Sequence, residues 1–190
     1  EPEAFGKRAA EYVLELGLDG LDIDLEGWGN DANAPTFLAK LTLAVRARFD
    51  EETDGRHRIV SHAPEMPDFW RGKSYSSLLA DPEVLSAVDF VNVQMYNQIP
   101  FESSAHVFTK DTYAPDVHAP TCLSSIVAAQ VDASAGAVSA AEVNSKLLLG
   151  FPCKDGSFPV GSANLNQCDD AQAALVRTGV SELGYPLRGV

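Results

Sequence analysis

The chain has 190 residues, 45% of them hydrophobic and 22% charged, a balance that excludes a disordered polypeptide and leaves enough apolar surface for one core. Fourteen Lys and Arg face 27 Asp and Glu, for a formal charge of −13. Nucleic acid and anionic membrane surfaces are therefore disfavoured partners, whereas a neutral ligand is unaffected. No apolar run approaches the roughly 20 residues that cross a bilayer.

In chain order, Ala4, Phe5, Ala9, Tyr12, Val13 and Leu16 recur at helical spacing over Pro2 to Leu16, and Gly17 is placed to stop that helix. Leu18 to Glu26 alternates apolar and acidic residues as a strand does, and Thr36 to Phe49 returns to helical period behind Pro35. The pattern repeats with a short strand at Arg58 to Ala63, a weak helix at Tyr75 to Val88 and a strand at Phe90 to Tyr96. A helix within Cys122 to Val131, a loop at Ala133 to Ala141, a strand at Lys146 to Phe151 and a helix at Asn166 to Leu183 follow. Leu187 to Val190 begins a further strand. Strands alternating with helices predict an α/β fold around a parallel sheet, in one domain without an internal linker.

The start, Glu1-Pro2-Glu3, shows neither the basic nor the apolar region of a signal peptide, which leaves localisation open. Cys122, Cys153 and Cys168 lack C-x-x-C spacing, so no zinc site is predicted. Cys153 and Cys168 are either a disulfide or buried thiols. His57, His62, His106 and His118 show no pairing that suggests a metal or a triad and are read as structural or surface residues. Neither a metal nor a cofactor is expected.

The strand at Leu18 to Glu26 holds the chemistry. Alternation sends Leu21, Ile23 and Leu25 to one face and Asp22, Asp24 and Glu26 to the other. In a parallel sheet both faces are normally covered, so this pattern predicts three like charges in a confined space, each raising its neighbours' pKa. The plain reading is an edge strand with a solvated acidic face. The chemical reading is that crowding keeps one carboxyl protonated near neutral pH, as a general acid must be. Glu26, last on the strand and nearest the C-terminal mouth where barrel enzymes hold substrate, is the candidate acid. Asp22, Asp24, Glu26 and Gly27 also fall on positions of a calcium-binding loop, but its closing Glu is here Asn33 and a strand, not a helix, precedes it.

Asp19-Gly20-Leu21-Asp22-Ile23-Asp24-Leu25-Glu26 matches the D-G-x-D-x-D-x-E signature in full, and the chain on these grounds resembles glycoside hydrolase family 18, the chitinase-like enzymes. Val93-Gln94-Met95-Tyr96-Asn97 is similar to that family's sixth-strand Q-M-Y-N segment, Ser61-His62-Ala63-Pro64-Glu65 to its fifth-strand A-P-[EQ], and Leu147-Leu148-Leu149-Gly150-Phe151-Pro152 to its seventh-strand L-G-x-P. The resemblance implies a partial (β/α)8 barrel covering roughly strands four to eight, with the acidic strand as strand four. It implies hydrolysis of β-1,4 linkages between N-acetylglucosamine units, as in chitin, with Glu26 as acid and the substrate's own 2-acetamido group as nucleophile, an exception to the two-carboxylate scheme.

By the same resemblance Asp24 orients the acetamido group and shares a proton with Asp22, Tyr96 hydrogen-bonds the acetamido oxygen, and Gln94, Met95, Asn97, Ala63 and Glu65 line the sugar site. Trp28 and Trp70 are further candidates for stacking on sugar rings. The alternatives are an endo-β-N-acetylglucosaminidase acting on N-glycans and a non-catalytic carbohydrate-binding relative, a lectin or inhibitor. A full barrel needs about 250 residues, so residues 1–190 are expected to be one incomplete catalytic domain whose isolated fragment is inactive. Secretion is expected from the polymeric substrate.

Overall fold

The computed structural model describes residues 1–26, 31–69, 73–94 and 123–150. Helix α1 (Pro2–Glu15) leads into strand β1 (Gly20–Ile23), then α2 (Ala34–Asp50), β2 (Ile59–His62), α3 (Pro82–Ala87), β3 (Phe90–Gln94), α4 (Leu123–Ala133), α5 (Ala140–Asn144) and β4 (Leu147–Gly150). Single turns of 3-10 helix at Met66–Phe69 and Leu78–Ala80 lie between β2 and α3. The four strands pair in parallel in the order β1-β2-β3-β4, as expected when helical crossovers return each strand beside the last. Among the described residues, no helix is long and apolar enough to cross a membrane.

Local chemistry sets the boundaries. Pro2 opens α1, where a missing N–H costs no bond, and Gly17 closes it at φ 67°. Leu18 N–H then reaches back to Val13 O (3.0 Å) and Gly17 N–H to Leu14 O (3.1 Å), so the chain turns directly into β1. The first glycine of the acidic motif is required by packing: a Cβ on Gly20 would lie 2.3 Å from Ile59 O of β2.

The helix-facing side of the sheet carries Ile23, Val60, Val91, Val93 and Leu147, packed with Leu38, Leu41 and Val45 of α2 into one apolar core. Burying side chains of this size stabilises the fold by roughly 1.5–3 kcal/mol each before entropy is set against it. The opposite side begins with Asp22, which is in register with Ser61.

Three expectations need correction. The stripe predicted for the first helix is split: Val13 is buried, but Phe5, Tyr12 and Leu16 are 64, 57 and 54% exposed. Instead α1 meets α2 through Gly6, Ala10 and Val13, so closely that a Cβ on Gly6 would stand 2.6 Å from Leu41 O. The weak helix at Tyr75 to Val88 is two short pieces, because Pro82 disfavours helical backbone at Asp81, whose side chain instead caps α3 through Glu83 N–H. The loop at Ala133 to Ala141 contains the start of α5, set by a capping box between Ser139 and Glu142. The helix at 166–183, the final strand and all three cysteines lie outside the described residues.

The N-terminal ends of the strands are tied by opposite charges. Arg46, on α2, donates to Asp89 Oδ2 at 2.6 Å, to Ala87 O at 3.0 Å and to Arg58 O at 2.9 Å. Asp89 Oδ2 also accepts Val60 N–H (2.9 Å), and its Oδ1 lies 2.7 Å from His57 Nε2. Burial pushes the Asp89 pKa up, but these bonds and charges outweigh it and hold the carboxyl below its usual range. Arg58 grips Asp54 with two nitrogens, at 2.6 and 3.0 Å. Asp19, the first acid of the motif, pairs with Arg56 at 2.6 Å.

Candidate active site

Strand alternation places Asp22, Asp24 and Glu26 on one side of β1 and its extension, and the register of the neighbouring strands brings polar partners to them. Ser61, opposite Asp22 on β2, donates its hydroxyl to Asp22 Oδ1 at 2.5 Å. Gln94, the last residue of β3, is buried, and its Nε2 donates to Ala63 O at 2.6 Å and Glu26 Oε1 at 2.8 Å. The same nitrogen stands 3.4 Å from Asp24 Oδ1, a weaker third contact. The amide is oriented by its partners, all acceptors, which fixes the nitrogen rather than the oxygen toward the acids. Gln94 also pairs through its backbone with Glu65 and donates its own N–H to Pro64 O (2.9 Å), so the tip of β3 is held against the segment following β2.

The acids perturb one another. The Asp24 pKa is raised, first by partial burial, then by the charge of Glu26, a hydrogen bond with the Glu26 carboxyl, and the charge of Asp22. Two carboxyl groups can hydrogen-bond to each other only if one holds a proton, because ionised carboxylates are acceptors alone. Glu65 is raised by burial and by Glu26, Asp68 and Asp24. Asp68 is pushed up to about 6: burial leads, its bond from Glu65 N–H opposes, and the charges of Glu26 and Asp24 add to the rise while Lys73 counters it.

The confinement expected for this side is not what the structure has: Asp22, Asp24 and Glu26 are all solvent-exposed. Partial burial still leads the rise at Asp24, and the neighbouring charges of Glu26 and Asp22 add to it. A groove of about 410 Å³ lies beside β1, its walls largely apolar, with Phe5, Leu21, Ile23, Leu25 and Phe37 among them beside Asp22 and Asp24.

Of the residues singled out from sequence, Asp22, Asp24, Glu26, Gln94, Ala63 and Glu65 fall in one neighbourhood. Ala63 contributes its backbone carbonyl, as the acceptor that orients Gln94. Trp28, Trp70, Met95, Tyr96 and Asn97 lie outside the described residues. Ser61 and Asp68 were not anticipated. Asp68 had a readable signal, an acid three residues after Glu65 that reaches back to the Glu65 N–H (3.1 Å) as the distal acid of a capping box does. Among the described residues no group of His, Cys, Asp and Glu side chains is arranged to hold a metal ion.

The sequence matches the model of Glycosyl hydrolases family 18 over residues 2–178. A chitinase of Enterococcus faecalis (strain ATCC 700802 / V583) is 29% identical over 98 residues, which make up 52% of this chain and 27% of that protein. The crystal structure of a GH18 chitinase from Pseudoalteromonas aurantia is similar with a TM-score of 0.58 at 20% identity, over 100% of this chain and 60% of that one. At that identity the likeness speaks for the fold: the parallel α/β sheet is an arc of the barrel such chitinases have.

Proposed function

The chain belongs to glycosyl hydrolases family 18, and on that premise we propose that the protein hydrolyses β-1,4 linkages between N-acetylglucosamine units, as in chitin, with Glu26 as the general acid. Supporting this is one observation above all: a single buried amide, Gln94 Nε2, lies 2.8 Å from Glu26 and 3.4 Å from Asp24, so the two acids occupy one reaction space.

In the proposed reaction Glu26 gives its proton to the glycosidic oxygen as the bond from that oxygen to the anomeric carbon breaks. The carbonyl oxygen of the substrate's 2-acetamido group bonds to the anomeric carbon from the other face, giving a cyclic oxazolinium ion. Asp24 accepts a hydrogen bond from the acetamido nitrogen and stabilises the positive charge developing there, while Asp22, bonded to Ser61, takes part in sharing the Asp24 proton. Tyr96 holds the acetamido oxygen in line. Water then adds at the anomeric carbon, loses a proton to Glu26 and reopens the ring, so the configuration is retained and the acid is regenerated. Gln94 steadies the Glu26 carboxylate between turnovers. A polymer too large to enter a cell makes secretion part of the same proposal.

The test is turnover of a fluorogenic chitobioside by the protein and by Glu26→Gln. Loss of a general acid lowers kcat by about 10²- to 10⁴-fold; equal rates in the two proteins remove Glu26 from the mechanism.

A further inference from the structure

Beneath the acids, on the helix side of the sheet, lies a polar chain with no contact to the proposed substrate. Thr42 of α2, His62 of β2 and Tyr75 are each 0% exposed. Thr42 Oγ1 stands 2.7 Å from Leu38 O and 3.1 Å from His62 Nε2. His62 Nδ1 stands 3.1 Å from the Tyr75 hydroxyl, which is in turn 3.3 Å from Ile23 O.

The hydrogens can be assigned by elimination. The Tyr75 hydroxyl donates its one hydrogen to Ile23 O, so toward His62 its oxygen accepts and Nδ1 carries the proton. Nε2 is then a lone pair facing the Thr42 hydroxyl, whose hydrogen lies between Leu38 O and Nε2. The chain is complete and uncharged: burial holds the His62 pKa down to about 3, so the imidazole stays neutral. The backbone carrying Tyr75 is pinned as well. Gln130 of α4, also 0% exposed, donates to Tyr75 O (3.0 Å) and Ser76 O (3.1 Å) and accepts Leu79 N–H (2.9 Å).

What this chain grips is the point where β1 ends. Ile23 is the last paired residue of the strand, and Asp24, Leu25 and Glu26 continue past it. The Tyr75 hydroxyl reaches Ile23 O, the carbonyl directly before Asp24. We propose that Tyr75, held by His62, Thr42 and Gln130, is a positioning residue that fixes the Ile23 backbone at the end of β1 and thereby sets Asp24 and Glu26 within reach of Gln94. This rests on the reading of Glu26 as the acid, because only then does a displacement of the carboxyls slow turnover.

Tyr75→Phe in the full chain keeps the ring, which packs against Phe69 and His62, and removes only the hydroxyl. Amide hydrogen exchange at Ala63, whose N–H donates to the same Ile23 O (3.1 Å), should accelerate by at least about tenfold while Val60 and Val93 keep their protection. On the chitobioside, kcat should fall by about 10- to 100-fold, the scale of a small misplacement of reacting groups, with KM little changed. His62→Leu should reproduce both effects, and His62→Gln, which offers a donor and an acceptor in place of the imidazole, should restore part of each. The Tyr75→Phe/His62→Leu double variant should lose no more kcat than the worse single one, since both act by one route. Unchanged exchange at Ala63 overturns the anchor. Faster exchange with unchanged kcat overturns the positioning role, as do losses that add in the double variant or that track the unfolding midpoint across all variants. If the unaltered protein does not turn over the substrate, the proposed function fails, and exchange at Ala63 alone decides the anchor.

Discussion

The two ends of the sheet handle charge in opposite ways. At the N-terminal end, Arg46, Arg56 and Arg58 meet Asp89, Asp19 and Asp54, and backbone groups complete the shell around Asp89. At the C-terminal end, Asp22, Asp24, Glu26, Glu65 and Asp68 crowd together with neutral partners, Ser61 and Gln94, and the positive charge acting on Asp68 is that of Lys73. The first end lowers carboxyl pKa values, as at Asp89, and the second raises them, as at Asp24, Glu65 and Asp68. Opposite charges hold a fold together, whereas crowded like charges favour the protonated forms of their neighbours.

Substitutions at the two ends should therefore separate activity from stability. The largest effect is Glu26→Gln, with kcat down about 10²- to 10⁴-fold and a thermal midpoint no lower than that of the parent, since a repulsive charge is removed. A matching loss of stability would break the contrast. Next comes Asp89→Ala, which strands Arg46, at 13% side-chain exposure, and the Val60 N–H. It should cost about 2–4 kcal/mol in denaturant titration, less than a fully buried pair, with kcat per folded molecule intact. Because the Asp89 pKa is depressed, its contribution is present above the ordinary carboxyl value of 3.8 and lost as pH falls through the lower folded value, so the variant should also blunt acid unfolding there.

Asp68→Asn should do the reverse. The Asp68 pKa is raised from 3.8 to about 6, so its favourable contribution is full below 3.8 and lost as pH rises through about 6. The neutral amide should thus raise the thermal midpoint above pH 6 by about 2–4 °C, after discounting for the solvent that reaches this side chain, and do little below pH 4. Smallest is Asp19→Ala. Although Asp19 opens the acidic motif, its side chain is 92% exposed and pairs with Arg56 at the far end of the strand. Its loss should move stability by less than about 0.5 kcal/mol and leave kcat unchanged.

Much of this was legible in the residues because period alone decides it. The alternation of Leu21, Ile23 and Leu25 with Asp22, Asp24 and Glu26 gives the strand, its two faces and the grouping of the acids. Gln94 could be placed on the same side by the same rule, though its hold on Glu26 depends on the register of β3 against β2, which no local pattern encodes. Tyr75 and His62 escaped for that reason: they lie on different segments and meet only when α2 and the segment after β2 close over the end of β1. The openness of the acid face was missed because covering both faces is the habit of complete parallel sheets. The exposed side of α1 was missed because periodicity identifies an apolar stripe without saying which part a neighbour will touch.

The bare α-carbon of Gly20 has a consequence for how the motif finds its place. With Ile59 O where a methyl group would stand, this position works as a locating notch between β1 and β2. Sliding the strand by one step would drive Leu21 into the notch and, in the same movement, swing every carboxylate into the oily layer beneath the sheet. Misalignment is thus vetoed twice, by collision and by dehydration, so a residue that takes part in no reaction keeps the reacting ones facing outward.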